Sequence, residues 1–302
     1  MTALHSKVQR RIPMSVAVLT DSNSGVTADE AKANGLFVQP MPFYIDGELF
    51  YEGINLTGGE FYKKQTGGSE ISTSMPIIGD LVDNWEKLLK DYDEVVYIPM
   101  SSGLSSSCET AVMLSDDYDG RVQVVNNQRI SVTQKLSVYE AKKLAEEGKS
   151  AAEIREYLES HKMDASIYIM VDTLEYLKKG GRITPAVAAI GSLLHIRPVL
   201  QIQGEKLDTF AKARTLKQAK QIIIDALKHD FETRFANMNE LETVISVAHT
   251  ENQEEAEIFR DELKEAFPGI ENILIDPLSL SVACHIGPGA LAATVSKGLI
   301  TL

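Results

Sequence analysis

The sequence predicts an α/β protein built from two domains. Short apolar runs typical of buried strands alternate with polar loops and stretches of helical periodicity, which is the pattern of a parallel sheet covered by helices. After about residue 160 the pattern changes, because two apolar runs on either side of Gly204 indicate an antiparallel hairpin. We therefore expect one domain over 14–160 with a largely parallel sheet and a second over 161–302 with a mixed sheet.

The predicted elements of the first domain begin with a strand at 14–20, which ends in the polar turn Asp21-Ser22-Asn23-Ser24. The run 36–45 contains Pro40 and Pro42, which indicate an irregular or edge strand. Apolar residues recur at helical spacing between Leu81 and Tyr92 and predict a helix. The remaining predicted elements are strands at 95–99 and 122–126, a helix at about 131–147, and a helix capped by Ser150 and Glu153.

The second domain is predicted to contain strands at 166–171, 198–202, 206–210, 243–249 and 272–275. Helices are expected at about 174–179, 215–235 and 251–267. After the Gly287-Pro-Gly289 turn the chain is rich in alanine, and this composition predicts a last helix.

Composition argues against several classes of function. The 302 residues carry 30 Lys and Arg against 43 Asp and Glu, a formal charge of −13, whereas a sequence-independent nucleic-acid binder needs a basic stripe. Nowhere does an apolar run reach the roughly 18 residues that a membrane span needs. The N-terminal segment has basic residues without an apolar stretch after them, so we expect no signal peptide and a cytoplasmic protein.

Familiar catalytic and cofactor motifs are missing from the sequence. It contains neither a nucleophile elbow nor a phosphate-binding loop of the usual spacing. The segment from Gly287 to Ala292 resembles a dinucleotide fingerprint only superficially, because no second strand follows it. Cys284 and His285 are adjacent but lack further ligands, so we expect no metal and no cofactor.

Three clusters of hydroxyl side chains follow predicted strands, at 21–24, 72–74 and 101–107. Ligands of parallel sheets bind outside the carboxyl ends of the strands, where hydroxyls and backbone N–H groups can hold an anion. The alternative is that these residues only cap helices and form turns, for which Ser, Thr and Asp are favoured. No carboxylate pair, nucleophile or base accompanies the clusters, which favours binding over turnover.

Seven motifs, in this order, resemble those of the DegV family of fatty-acid-binding proteins, and they span about 14–302. The motifs are Leu19-Thr-Asp-Ser22, Ser72-Thr-Ser-Met-Pro76, Ser101-Ser-Gly-Leu-Ser105, Leu177-Lys-Lys-Gly-Gly-Arg-Ile183, Ile196-Arg-Pro-Val-Leu200, Lys212-Ala-Arg-Thr215 and His285-Ile-Gly-Pro-Gly-Ala290. Met75 and Ser106-Ser107 depart from the family pattern, which leaves the preferred acyl chain open.

The resemblance implies a two-domain fold that encloses a long-chain fatty acid between its domains. It implies that Thr73 and Ser105 hold the carboxylate, with Ser74 and Ser106 beside them. It also implies a partner, a separate ATP-dependent fatty acid kinase, which phosphorylates the bound carboxylate to an acyl phosphate for phospholipid synthesis. The family's exposed positions on the kinase side fall on Arg182, Arg214 and His285.

Two hypotheses from other classes stay open at this point. The chain could be a hydrolase or phosphotransferase acting on a lipid-like substrate, with Ser105 as nucleophile and His285 as base. The missing elbow and the missing third partner argue against this enzyme. The chain could also be a regulatory protein in which lipid is only a structural filler.

Overall fold

The computed structural model describes residues 15–182, 196–205, 207–238, 241–270 and 272–301. Its strands are β1 (Val16–Asp21), β2 (Phe37–Gln39), β3 (Pro42–Ile45), β4 (Glu48–Tyr51), β5 (Ile71–Thr73), β6 (Glu94–Ile98), β7 (Val122–Val124), β8 (Ala165–Met170), β9 (Arg197–Ile202), β10 (Leu207–Ala213), β11 (Glu242–His249), β12 (Ile273–Pro277) and β13 (Leu291–Gly298). Its α-helices are α1 (Ala28–Asn34), α2 (Gly58–Thr66), α3 (Ile78–Leu88), α4 (Ser107–Ser115), α5 (Ser131–Glu146), α6 (Ala151–Ser160), α7 (Glu175–Lys179), α8 (Leu216–Thr233), α9 (Gln253–Ala266) and α10 (Leu280–Ile286).

Four strands pair in the order β2-β1-β6-β7 to form an all-parallel sheet, here called the parallel sheet. Successive residues of a strand point to opposite faces, and all six residues of β1 are buried. Val16 and Val18 pack with α5 and α6, whereas Ala17 and Leu19 pack with α3 and α4. Helices on both faces therefore explain why β1 is a continuous apolar run.

The largest sheet has the order β10-β9-β8-β13-β11-β12 and is called the mixed sheet. Among its described strands β11 and β12 pair in parallel, and all other neighbours are antiparallel. Helices α8 and α9 cover one face, where Tyr168 and Met170 of β8 are buried with Leu227 and Phe259. The predicted fold class, α/β with a parallel first sheet and a mixed second sheet, is confirmed.

A third, small sheet of order β4-β3-β5 is a feature that the sequence analysis missed. β3 and β4 form a hairpin around Asp46 and Gly47, whose φ angles are 51° and 83°, and β5 pairs antiparallel with β3. The Asp-Gly pair is a strong hairpin signal, since this turn type needs positive φ at both positions. The single irregular strand predicted over 36–45 is thus two strands, β2 in the parallel sheet and β3 in the small sheet.

The prediction of a helix after Gly289 is wrong. This Ala-rich segment forms β13, which lies between β8 and β11 inside the mixed sheet. Helix propensity is a weak preference that tertiary pairing overrides, and here a hydrogen-bonded neighbour lies on each side. Alternate residues of β13 face α8 and α9, which leaves Ala292 and Thr294 on the other face of the sheet.

Most other predicted elements are confirmed. α3 buries the predicted apolar face, a capping box opens α6, and β9 and β10 form the predicted hairpin. α6 ends at Ser160 and β8 begins at Ala165, so the domain boundary predicted near residue 160 falls in this connection and stays a prediction. In the described ranges, no helix combines the length and apolar composition needed to cross a bilayer.

Candidate binding site between the sheets

A cavity of about 330 Å³ lies where the three sheets meet. Its wall comes from the loops that follow β1 and β6, from the end of β5, from the start of α5, from the mixed sheet, and from α7 and α10. Binding sites for small molecules have volumes of roughly 300–1,000 Å³. The cavity therefore has room for one small molecule, and segments from both halves of the chain enclose it.

Most of the cavity wall is apolar, and part of it is the face of the mixed sheet that α8 and α9 leave uncovered. Ile167 and Ile169 of β8 lie on this face, because the alternate residues of the strand pack against the helices. Ala292 of β13 and Ala248 of β11 are register partners beside them. These small side chains leave space over the centre of the sheet, and larger residues complete the wall: Ile130, Ile202, Leu207 and Leu278.

The polar end of the cavity contains a hydrogen bond between Thr73 and His285. Oγ1 of Thr73 lies 2.9 Å from Nε2 of His285, although the two residues are 212 positions apart. They meet because α10 packs on the small sheet and on α2, where Gln65 Nε2 donates to the carbonyl of Ala283 at 2.9 Å. One hydroxyl predicted for the site is therefore held by a histidine from the other end of the chain.

His285 is neutral at pH 7, because burial, assisted by the positive charge of Arg182, lowers its pKa to about 4. Within the described residues Nδ1 of His285 has no hydrogen-bond partner, which fits a ring that carries its proton on Nε2. In that tautomer Nε2–H donates to Thr73 Oγ1, and the hydroxyl proton of Thr73 is left for another acceptor. Arg182 donates to the carbonyl of Gly180 at 2.7 Å, with its side chain exposed at the cavity wall.

Two glycines make room for this arrangement. A Cβ atom at Gly180 would collide with Nδ1 of His285, and one at Gly287 would collide with the ring of Tyr176. Gly287 also has a φ of 72°, in the left-handed region that favours glycine. The Gly-Gly and Gly-Pro-Gly motifs therefore let α7 and α10 approach closely, and this approach holds the imidazole of His285 in the cavity wall.

The serine-rich loop after β6 supplies the other predicted hydroxyls. Ser105 is half-buried, and its Oγ accepts the backbone N–H of Ser107 at 3.2 Å, at the start of α4. Oγ of Ser101 donates to the carbonyl of Glu205 at 3.1 Å, and a Cβ atom at Gly103 would collide with that same residue. The serine-rich loop thus packs against the turn between β9 and β10, and this packing holds the hydroxyls of the loop in the cavity wall.

In the polar turn after β1, Asn23 is the residue that lines the cavity. Asp21 is wholly buried, and its carboxylate accepts the N–H of Met100 at 2.8 Å and that of Asn23 at 3.0 Å. Burial raises the pKa of Asp21 to about 6. Oγ of Ser24 donates to the carbonyl of Asp21 at 2.9 Å. This cluster therefore mainly ties the loops after β1 and β6 together, as the turn interpretation predicts.

The structure brings most of the predicted site residues to this one cavity: Thr73, Ser74, Ser105, Ser106, Arg182 and His285 all line it. Arg214 does not belong to the lining. It is exposed at the end of β10, where its backbone N–H donates to Oε1 of Gln218 at 2.8 Å.

Two of these residues differ from expectation in their surroundings. His285, expected to be exposed, is largely buried because α7 and the small sheet pack on either side of it. Thr73, expected at the edge of a parallel sheet, ends a strand of the antiparallel small sheet. Sequence reasoning missed Ser131, Ser281 and Thr294, which also line the cavity. Ser281 lies four residues before His285, and this spacing places both residues on one face of a helix. Ser281 could therefore have been predicted from the sequence.

These features define a class of protein, an α/β fold with an internal cavity that is polar at one end and apolar along the rest. Over residues 15–298 the chain matches the model of the family described as "Uncharacterised protein, DegV family". The chain belongs to the DegV family, and the predicted resemblance is confirmed.

The relatives extend over nearly the whole chain. Protein DegV of Bacillus subtilis (strain 168) is 32% identical over 283 residues, which are 92% of this chain and 98% of that protein. A DegV family protein from Thermus thermophilus, described by its fatty acid binding, is 27% identical with a TM-score of 0.85 and covers 94% of this chain and 100% of its own. The structure of DegV from Bacillus subtilis, described as a fatty acid binding protein, is 30% identical with a TM-score of 0.82, at 94% and 99% coverage.

Proposed function

We propose that this protein binds a long-chain fatty acid in the cavity, with the carboxylate at Thr73 and Ser105 and the acyl chain along the mixed sheet. The observation that carries the proposal is the division of the cavity into a hydroxyl-lined end and an apolar wall. The neighbours from Thermus thermophilus and Bacillus subtilis are described as binding fatty acids, which supports this class of ligand.

The acyl chain supplies the affinity in this proposal. Each buried CH₂ contributes about 0.8 kcal/mol, so a chain of about 15 methylenes contributes roughly 12 kcal/mol before the costs of binding. Ordering and association remove several kcal/mol of that amount, and micromolar or tighter binding is left. The apolar wall of the mixed sheet, with Ala248 and Ala292 at its centre, is the surface that this chain would cover.

The hydroxyl groups have a different task, which is to keep the carboxylate from being buried without partners. Thr73 and Ser105 are the proposed donors, with Ser74 and Ser106 beside them. His285 accepts no proton in this role. As a neutral imidazole it donates to Oγ1 of Thr73 and so turns the hydroxyl proton of Thr73 toward the carboxylate.

We further propose that catalysis belongs to a separate ATP-dependent kinase, to which this protein presents the carboxylate for conversion to an acyl phosphate that feeds phospholipid synthesis. Arg182 and Arg214 are exposed, and a guanidinium offers a planar fork of donors to carboxylate or phosphate oxygens. On a chain of net charge −13 they supply local positive charge for a nucleotide or an anionic partner surface.

The alternative enzyme, with Ser105 as nucleophile and His285 as base, gains no support from the hydrogen bonds. A general base must lie within hydrogen-bond reach of the group that it activates. Nε2 of His285 is hydrogen-bonded to Oγ1 of Thr73, and Oγ of Ser105 accepts a hydrogen bond from the backbone N–H of Ser107. Binding without turnover is the function that this geometry favours.

Protein purified from a bacterial host is expected to carry about one equivalent of a non-covalent long-chain fatty acid. Native mass spectrometry measures the added mass, and gas chromatography of an organic extract identifies the acid. Denaturing mass spectrometry of the same sample is the control, because a non-covalent ligand is lost there. The proposal would be contradicted if the purified protein is empty and its melting temperature does not change when hexadecanoic or oleic acid is added.

Arg182→Ala and Arg214→Ala are expected to retain bound fatty acid while acyl phosphate formation with the cognate kinase and ATP falls strongly. Both side chains are exposed, so their loss changes the surface more than the acyl-chain wall. Lys217→Ala, which removes a neighbouring exposed positive charge, is the control for a general charge effect. Wild-type turnover, or loss of fatty acid as complete as in Thr73→Ala, would overturn the partner-facing role.

A further inference from the structure

The cavity holds a second group of polar side chains that the proposed carboxylate site does not use. Its members are Asn23, Ser131, Ser281 and Thr294, with exposed fractions of 1%, 7%, 7% and 2%. A wall that contacts only hydrocarbon does not need polar side chains, and a polar group that is buried there without a partner is destabilising. We infer that these four residues, the interior polar subsite, bind an oxygen substituent on the acyl chain, so that the ligands include hydroxylated fatty acids.

Asn23 contacts one other member of the interior polar subsite, Ser281. Its Oδ1 accepts the hydroxyl of Ser279 at 3.0 Å and the hydroxyl of Ser281, which uses both of its lone pairs. Its Nδ2 lies 3.1 Å from the sulfur of Met100. A thioether is a weak acceptor, and an amide nitrogen carries two hydrogens. Asn23 therefore keeps donor capacity beside the cavity, which an acceptor oxygen of a ligand would use.

Ser131 and Thr294 add two hydroxyls to the interior polar subsite. Ser131 is the first residue of α5 and has a φ of 56°, a region that serine adopts rarely. Within the described residues, neither Oγ of Ser131 nor Oγ1 of Thr294 has a hydrogen-bond partner. Both residues are more than nine-tenths buried and both line the cavity, so the cavity is the space that their hydroxyls can reach.

The spacing on α10 locates the interior polar subsite relative to the carboxylate end. Ser281 precedes His285 by four residues on the same helix face, which corresponds to a rise of about 6 Å. His285 marks the carboxylate end through its bond to Thr73. Ser281 therefore faces the first carbons of an acyl chain rather than its methyl end. This inference rests on the proposed function, because it takes the orientation of the fatty acid from it.

A panel of hexadecanoic acids, each hydroxylated once on a carbon from position 2 to position 8, tests the inference by calorimetric titration of delipidated protein. At least one member is expected to bind about threefold to tenfold more tightly than hexadecanoic acid, which is the effect of one added neutral hydrogen bond. The acid hydroxylated on its terminal carbon is the matched ligand control. It is expected to bind at least about tenfold more weakly than hexadecanoic acid, because its hydroxyl meets an apolar wall.

Two variants link the preference to the named residues. Ser281→Ala and Ser131→Gly are each expected to bring the favoured acid within about twofold of hexadecanoic acid; glycine is chosen at 131 because it adopts positive φ without strain. Ser296→Ala, a buried serine of β13 outside the cavity lining, is expected to keep the preference. The inference is overturned if every hydroxylated acid binds more weakly than hexadecanoic acid, or if the preference survives both variants. Failure of hexadecanoic acid itself to bind overturns the proposed function, and this inference with it.

Discussion

Ala292→Leu is expected to weaken hexadecanoic acid binding roughly a hundredfold while the protein stays folded. Ala292 lies on the cavity face of β13, in register with Ile169 and Ala248, so a larger side chain there occupies space that the acyl chain needs. Excluding three or four methylenes, at about 0.8 kcal/mol each, removes about 2.4–3.2 kcal/mol of binding free energy. Titration with acids of different length measures the effect, and the preferred acid is expected to shorten by the same three or four carbons.

Ala293→Leu is the matched control for this prediction. Ala293 is the next residue of β13, but its side chain points to the opposite face, into the core beneath α8 and α9. The same substitution there overpacks a filled core and is expected to lower the free energy of unfolding by about 1–3 kcal/mol. Thermal melts of the two delipidated variants distinguish a side chain that enters the cavity from one that overpacks the core. Equal destabilisation by both substitutions would mean that Ala292 does not border usable space.

The double variant Thr73→Ala with Ser105→Ala is expected to lose most carboxylate binding without unfolding. A hydrogen bond to a charged group contributes about 1.5–3 kcal/mol, so each single variant should bind hexadecanoic acid about tenfold to hundredfold more weakly. Neither side chain is in an apolar core, and Thr73 and Ser105 are both half-buried in the cavity wall. Fluorescence displacement or calorimetry measures the affinities, and circular dichroism checks the fold.

Two controls sharpen the result at Thr73. Ser72→Ala removes a hydroxyl from the preceding residue of β5, which is exposed and does not line the cavity, and should leave affinity unchanged. Thr73→Ser retains the hydroxyl that His285 contacts and should recover most of the affinity. If Thr73→Ala and Ser105→Ala each bind like the unsubstituted protein, the carboxylate is held elsewhere in the cavity.

Elements whose signals are local were predictable. The apolar face of α3, the capping box of α6 and the hairpin of β9 and β10 each depend on residues within a few positions of one another, and each forms as predicted. The small sheet has such a local signal too, the Asp46-Gly47 turn. By contrast, β13 shows where local signals mislead. Its alanines favour a helix in isolation, and pairing with β8 and β11 makes the segment a strand.

By itself, the sequence determined the fold class, most helices and strands, the family, and the hydroxyl clusters that were candidates for the site. The tertiary structure alone decided that Thr73 and Asn23 face the cavity, that Ser72 and Asp21 do not line it, and that His285 is bonded to Thr73. The physical reason is how far apart along the sequence the interacting residues are. Periodicity, caps and turns act over a few residues, whereas a cavity wall assembles from segments more than 200 residues apart, and the sequence of one segment does not encode which side chain of another will lie opposite.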